Sequence, residues 1–90
     1  MQNLSQQYEH VVCKEDELIR NIQTCEEIIT LLLDYIYKQN LDGSANTMSE
    51  IIQSIHQMEG KMRGDLLQTR IEKTLLSCQM KKYAPPSLHG

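Results

Sequence analysis

The sequence predicts an all-α fold, a long antiparallel helical hairpin of coiled-coil type. Three observations carry this reading. Residues 4–39 contain neither Gly nor Pro. Apolar residues recur there, and again from Met48, in alternating steps of four and three, the rhythm of a helix with one buried stripe. Between the two runs, Leu41-Asp42-Gly43-Ser44 supplies turn chemistry. The expected organisation is one domain over residues 1–83, with a helix over about 4–40, a turn over 41–46, a helix over about 47–82 and a disordered tail over 84–90.

In the first helix the four-three positions are Leu4, Tyr8, Val11, Glu15, Leu18, Ile22, Cys25, Ile29, Leu32 and Ile36, and only Glu15 breaks the apolar seam. Asn3, with Gln6 three residues later, is suited to cap its N-terminus. Val12, Ile19 and Leu33 widen the seam on one side, and Ile28 and Tyr35 widen it on the other. That is more apolar surface than one facing helix covers, so the helix is expected to touch more than one neighbour.

The helix should end near Asn40, where Gly43 offers the freedom of a left-handed terminus. Thr47-Met48-Ser49-Glu50 has the form of a capping box and predicts the start of the second helix. The rhythm then runs Met48, Ile52, Ile55, Glu59, Met62, Leu66, Thr69, Lys73, Leu76, Met80 and Tyr83, a poorer seam than the first. Leu67, Ile71, Leu75 and Cys78 form a second stripe, which predicts that the buried face rotates after Gly60 and Gly64. Each glycine disfavours helix by about 1 kcal/mol relative to Ala, so this is where the helix is expected to bend, or to break and give three helices. Beyond Tyr83, Pro85-Pro86 stops helix formation.

Charge supports the same topology independently. Residues 1–43 hold eight acids against three bases, and the remainder holds four against six. Folding back around Gly43 and Ser44 sets residue i near residue 87 − i, which brings Glu26 and Glu27 toward Lys61 and Arg63, and Glu15 to Glu17 toward Arg70 and Lys73. Exposed pairs of this kind select orientation and register more than they stabilise.

Composition narrows the function. Ninety residues with no Trp and no Phe build only a modest core. The net charge of −3 argues against generic nucleic-acid binding, although Lys61, Arg63, Arg70, Lys73, Lys81 and Lys82 form a minor basic set. Cys13, Cys25 and Cys78 match no disulfide framework or zinc spacing and are read as thiols of a reducing, cytoplasmic compartment, a nuclear one being compatible. The N-terminus has no secretory signal pattern, and the densest apolar stretch, residues 28–37, is too short to span a bilayer.

No catalytic, cofactor or metal site is expected. His10 with Cys13, and His56 with Glu59, have metal-compatible spacing but supply too few strong ligands, and a solvated helix face is the simpler reading. Cys25 lies on the seam without a base to activate it. Gly60 and Gly64 have the small-xxx-small spacing of close helix contacts, but among charged neighbours they are read as a kink or a tight crossing. Met48, Met58, Met62 and Met80 are core fillers by default, or else the lining of an adaptable groove.

The expected function is therefore protein–protein interaction by a non-enzymatic structural or adaptor subunit. It would form a bundle with itself or with partner coiled-coil chains through Leu18, Ile22, Ile29, Leu32, Leu33, Ile36, Ile52, Ile55, Met62, Leu66 and Leu76. The alternative is a small acidic chaperone or regulator that binds a client's amphipathic helix, similar in size, charge and helicity to the cytosolic chaperones of type III and flagellar secretion.

Overall fold

The structure, a computed structural model, describes residues 3–39 and 43–82. It consists of two helices packed side by side, α1 (Leu4–Gln39) and α2 (Ala45–Lys82), joined near Gly43 and Ser44. At 1.5 Å per residue each helix runs for roughly 55 Å. The expected hairpin is the observed one. The Asn40 boundary and the tail over 84–90 lie outside the described residues.

Both helix starts have a local cause. At α1 the Asn3 side-chain oxygen accepts from the Gln6 amide at 2.8 Å, and the Gln6 side-chain oxygen accepts from the Asn3 amide at 3.4 Å. This is the reciprocal cap expected from the sequence. At α2 the expectation fails by two residues, because Ala45 is already helical and the Met48 amide donates to the Ser44 carbonyl at 3.0 Å. Ser44 thus occupies the capping position, and Thr47 and Glu50 belong to the helix rather than to its start. Ser is as good a cap as Thr, and Ala45 favours helix strongly, so the earlier start wins.

The buried seam keeps the four-three rhythm along its whole length. Val11, Glu15, Ile22 and Cys25 of α1 are buried against Glu59, Leu66, Thr69 and Leu76 of α2. The intervening positions, among them Leu18, Ile29, Leu32, Ile36, Ile52, Ile55 and Met62, are half-buried. The buried face therefore does not rotate after Gly60 and Gly64, and α2 neither breaks nor yields a third helix.

Three features explain this continuity. Arg63, between the two glycines, bonds Glu59 on its own helix and Glu26 on α1, which fastens that turn to its neighbour. Thr69 is 2% exposed, yet its hydroxyl donates to the Asp65 carbonyl at 2.7 Å, so no polar atom is stranded and its methyl is free for the seam. Lys73 reaches a carboxylate across the interface. Among the described residues no buried side-chain nitrogen or oxygen lacks a partner.

Candidate interaction surface

The polar centre of the seam is Glu15. Its two carboxylate oxygens accept from Arg70 Nε at 3.0 Å and from Lys73 Nζ at 2.7 Å, both on α2. The Lys73 and Arg70 hydrogen bonds hold this carboxyl below its ordinary range, against the opposing effect of desolvation. A smaller network sits one level nearer the turn, where Arg63 contacts both Glu59 and Glu26. The Glu59 hydrogen bond, aided by Glu26, raises the Arg63 guanidinium and keeps it charged. Residue numbers in the inter-helix pairs sum to between 85 and 89, the register expected from the charge pattern.

This register divides the hairpin into two edges. Glu26 follows the seam residue Cys25, Arg63 follows Met62, and the two meet across one edge. In an antiparallel pair the residues that precede a seam position then share the other edge. Near the turn those residues are Ile28, Leu31 and Tyr35 from α1 and Ile51 and Met58 from α2, with Leu31 turned further outward beside Glu27 and Thr30. They are 40, 68, 49, 43 and 58% exposed. Ile28 lies level with Met58, and Tyr35 with Ile51, so the two helices present one apolar edge at the turn end of the hairpin.

Of the eleven residues expected to bind a partner, ten lie in the seam between α1 and α2. Ile22, Leu66 and Leu76 are buried there, and Leu18, Ile29, Leu32, Ile36, Ile52, Ile55 and Met62 are half-buried. Leu33, 54% exposed, stands on the Glu26 edge. Ile28 and Tyr35 were legible as flanking the first seam. Leu31, Ile51 and Met58 were not joined to them, although assigning both helices to one antiparallel register is enough to place all five on the same edge.

The second apolar stripe of α2 has a different fate. Leu67, Ile71 and Leu75 are 62, 45 and 59% exposed and face away from α1, while Cys78 is exposed at the rim of a groove that it shares with Tyr8 of α1. Gly60 and Gly64 lie on the same outward face, where an added Cβ would meet nothing within 4 Å. The expected tight crossing at these glycines is therefore absent from the contact with α1.

The polar constellations singled out in the sequence stay dispersed. His10, Cys13 and His56 are exposed, whereas Glu59 is committed to Arg63. Among the described residues no three His, Cys, Asp or Glu side chains gather around a common point. The three cysteines are free thiols, Cys25 being buried in the seam. Among the described residues no helix is long and apolar enough to cross a membrane. Comparison with known proteins finds no matching family model, no similar curated protein and no similar solved structure.

Proposed function

We propose that this chain is a non-enzymatic interaction subunit that docks other helices along its flanks and so forms a helical bundle, with itself or with partner coiled-coil chains. The observation that carries this reading is the apolar edge of Ile28, Leu31, Tyr35, Ile51 and Met58, contributed by both helices and left exposed by the hairpin. Among the described residues the intramolecular seam buries only Val11, Ile22, Cys25, Leu66 and Leu76 of the apolar side chains, while ten large apolar residues remain exposed. A third or fourth helix laid along the edge would cover its share of that surface, and each such side chain gains roughly 1–2 kcal/mol when fully buried.

The test uses Leu31→Gln with Met58→Gln, which keeps good helix formers at exposed positions. Helicity should be retained, while association in sedimentation equilibrium over a hundredfold concentration range, or affinity for a purified native partner, should fall at least about tenfold. If the double variant associates and binds as the wild type does, this edge is not the docking surface.

A further inference from the structure

We infer that the outward face of α2 pairs in parallel with the same face of a second copy of this chain. The inference rests on the reading that the chain works through helix packing, and it names a partner and a second surface for it. The stripe Gly60, Gly64, Leu67, Ile71 and Leu75 is centred on Ile71 and faces away from α1, and it ends at the exposed Cys78, which also borders a groove with Tyr8 of α1. It is more apolar than the stretch of seam behind it, where Glu59, Thr69 and Lys73 are turned inward. A helix that buries its polar stripe against one neighbour and leaves its apolar stripe outside has a further neighbour to satisfy. The open space at Gly60 and Gly64 lets another backbone approach closely at that end, and a shallow groove lined by Arg70, Ile71, Thr74 and Leu75 runs beside the stripe at the other.

Charge selects the occupant and its direction. On a helical projection Arg63 and Arg70 flank the stripe on one side, and Asp65 and Glu72 flank it on the other at nearly the same heights, with Lys61 one turn before Asp65 on that second flank. Two copies related by an axis along the helices set the basic flank of each against the acidic flank of the other, with residue 70 of one copy about 3 Å in height from residue 72 of its partner. Reversing one copy sets arginines against arginines and acids against acids. Arg63 and Arg70 keep about half of their side-chain surface exposed despite their bonds within the hairpin, so each can meet a second carboxylate. At the level of Arg70 and Glu72 the stripe is therefore self-complementary in the parallel arrangement and self-repelling in the antiparallel one, while at the level of Arg63 the partner's Lys61 offsets part of the attraction of the partner's Asp65.

The parallel arrangement also brings Cys78 opposite Cys78, whereas an antiparallel pair centred on Ile71 separates the two thiols by roughly 21 Å along the axis. The test uses the full chain with Cys13→Ser, treated with a short bis-maleimide at increasing protein concentration, together with sedimentation equilibrium. A covalent dimer that requires Cys78 is expected. Leu67→Gln with Ile71→Gln should abolish it, and Asp65→Lys with Glu72→Lys should weaken association at least about tenfold with helicity unchanged. Monomers at every concentration would overturn the inference, as would a dimer that does not cross-link at Cys78 or that tolerates the Leu67 and Ile71 changes. A dimer lost only on changing Leu31 and Met58 would overturn it while leaving the docking edge and the proposed function standing.

Discussion

Replacing Ile22 by Ala tests the division between an inner seam and an outer docking surface most directly. Ile22 is 5% exposed and lies midway along α1, beside Leu66 in the groove that also holds Arg63 and Arg70. Truncating a buried Ile removes its transfer free energy and leaves a partly collapsed void, which costs about 3 kcal/mol within the usual range of 2–5. A domain of this size is stable by about 5–13 kcal/mol in all, so the change removes a large fraction. At about 4–8 °C per kcal/mol, the unfolding midpoint should fall by roughly 12–24 °C.

Leu31→Ala deletes a comparable side chain from a position that is 68% exposed. Ala favours helix at least as well as Leu, so in dilute solution the cost should stay within about 0.5 kcal/mol, or less than about 4 °C. Thermal and urea unfolding followed by circular dichroism at 222 nm, at low and high protein concentration, separates the two effects. Ile22→Ala should be destabilised at both concentrations. Leu31→Ala should lose, at high concentration, no more than the part of the wild type's extra stability that comes from association through the turn-end edge. Equal losses for both variants in dilute solution would refute the assignment of Leu31 to the outside. A loss below about 1 kcal/mol for Ile22→Ala would refute the seam itself.

Gly60→Ala and Gly64→Ala should each stabilise the isolated hairpin by about 0.5–1 kcal/mol, since an added methyl meets nothing within 4 Å. The same changes should weaken self-association if α2 pairs through its outer face, a combination visible by comparing dilute melts with sedimentation. Acid should weaken the fold through Glu15. Its carboxyl is lowered from 4.5 by Lys73 and Arg70, so its contribution is full above that value and is lost as pH falls through the lower folded value. The melting temperature of Glu15→Gln should therefore depend less on pH below 4.5 than that of the wild type, and parallel pH curves would show that the pairing is energetically silent. Glu15→Leu should leave the helix content intact and should not lower the melting midpoint, because Arg70 and Lys73 can extend to water while the seam gains an apolar residue. It should, however, convert one defined species into several in sedimentation velocity, and a single unchanged species would argue against a register role for this residue.

The hairpin was legible because its information is local and periodic. Every four-three position from Leu4 to Ile36, and from Met48 to Met80, is buried or half-buried, including Glu15, Glu59, Thr69 and Lys73, which a count of apolar residues would have rejected. The sequence misled where the outcome depended on a partner across the interface. Leu67, Ile71, Leu75 and Cys78 outscore Thr69 and Lys73 in hydrophobicity, and pattern alone therefore turns the buried face toward them. What reverses that choice is the Glu15 carboxylate, more than fifty residues away in sequence, together with the Thr69 hydroxyl bond to its own helix. The start of α2 was misplaced for a simpler reason, since Ser44 and Thr47 are both good caps and the geometry uses the first.

Polar residues inside and apolar residues outside are two consequences of one constraint. A seam made only of Leu and Ile would let α1 slide by a heptad against α2 with little penalty, because every level would resemble the next. Glu15 between Arg70 and Lys73, and Arg63 between Glu59 and Glu26, make the levels distinct, and a slip of one heptad would separate these charges by about 10 Å. Positions spent on register bury less apolar area, so the hairpin alone gains less from its seam than its length would allow. Of the ten large apolar residues exposed among the described residues, all but Leu33 and Tyr37 are gathered on the turn-end edge and on the outer face of α2, where burial requires another helix. Fixing the register holds those two surfaces at a set height and angle, which a docking helix needs if it is to meet both arms of the hairpin at once.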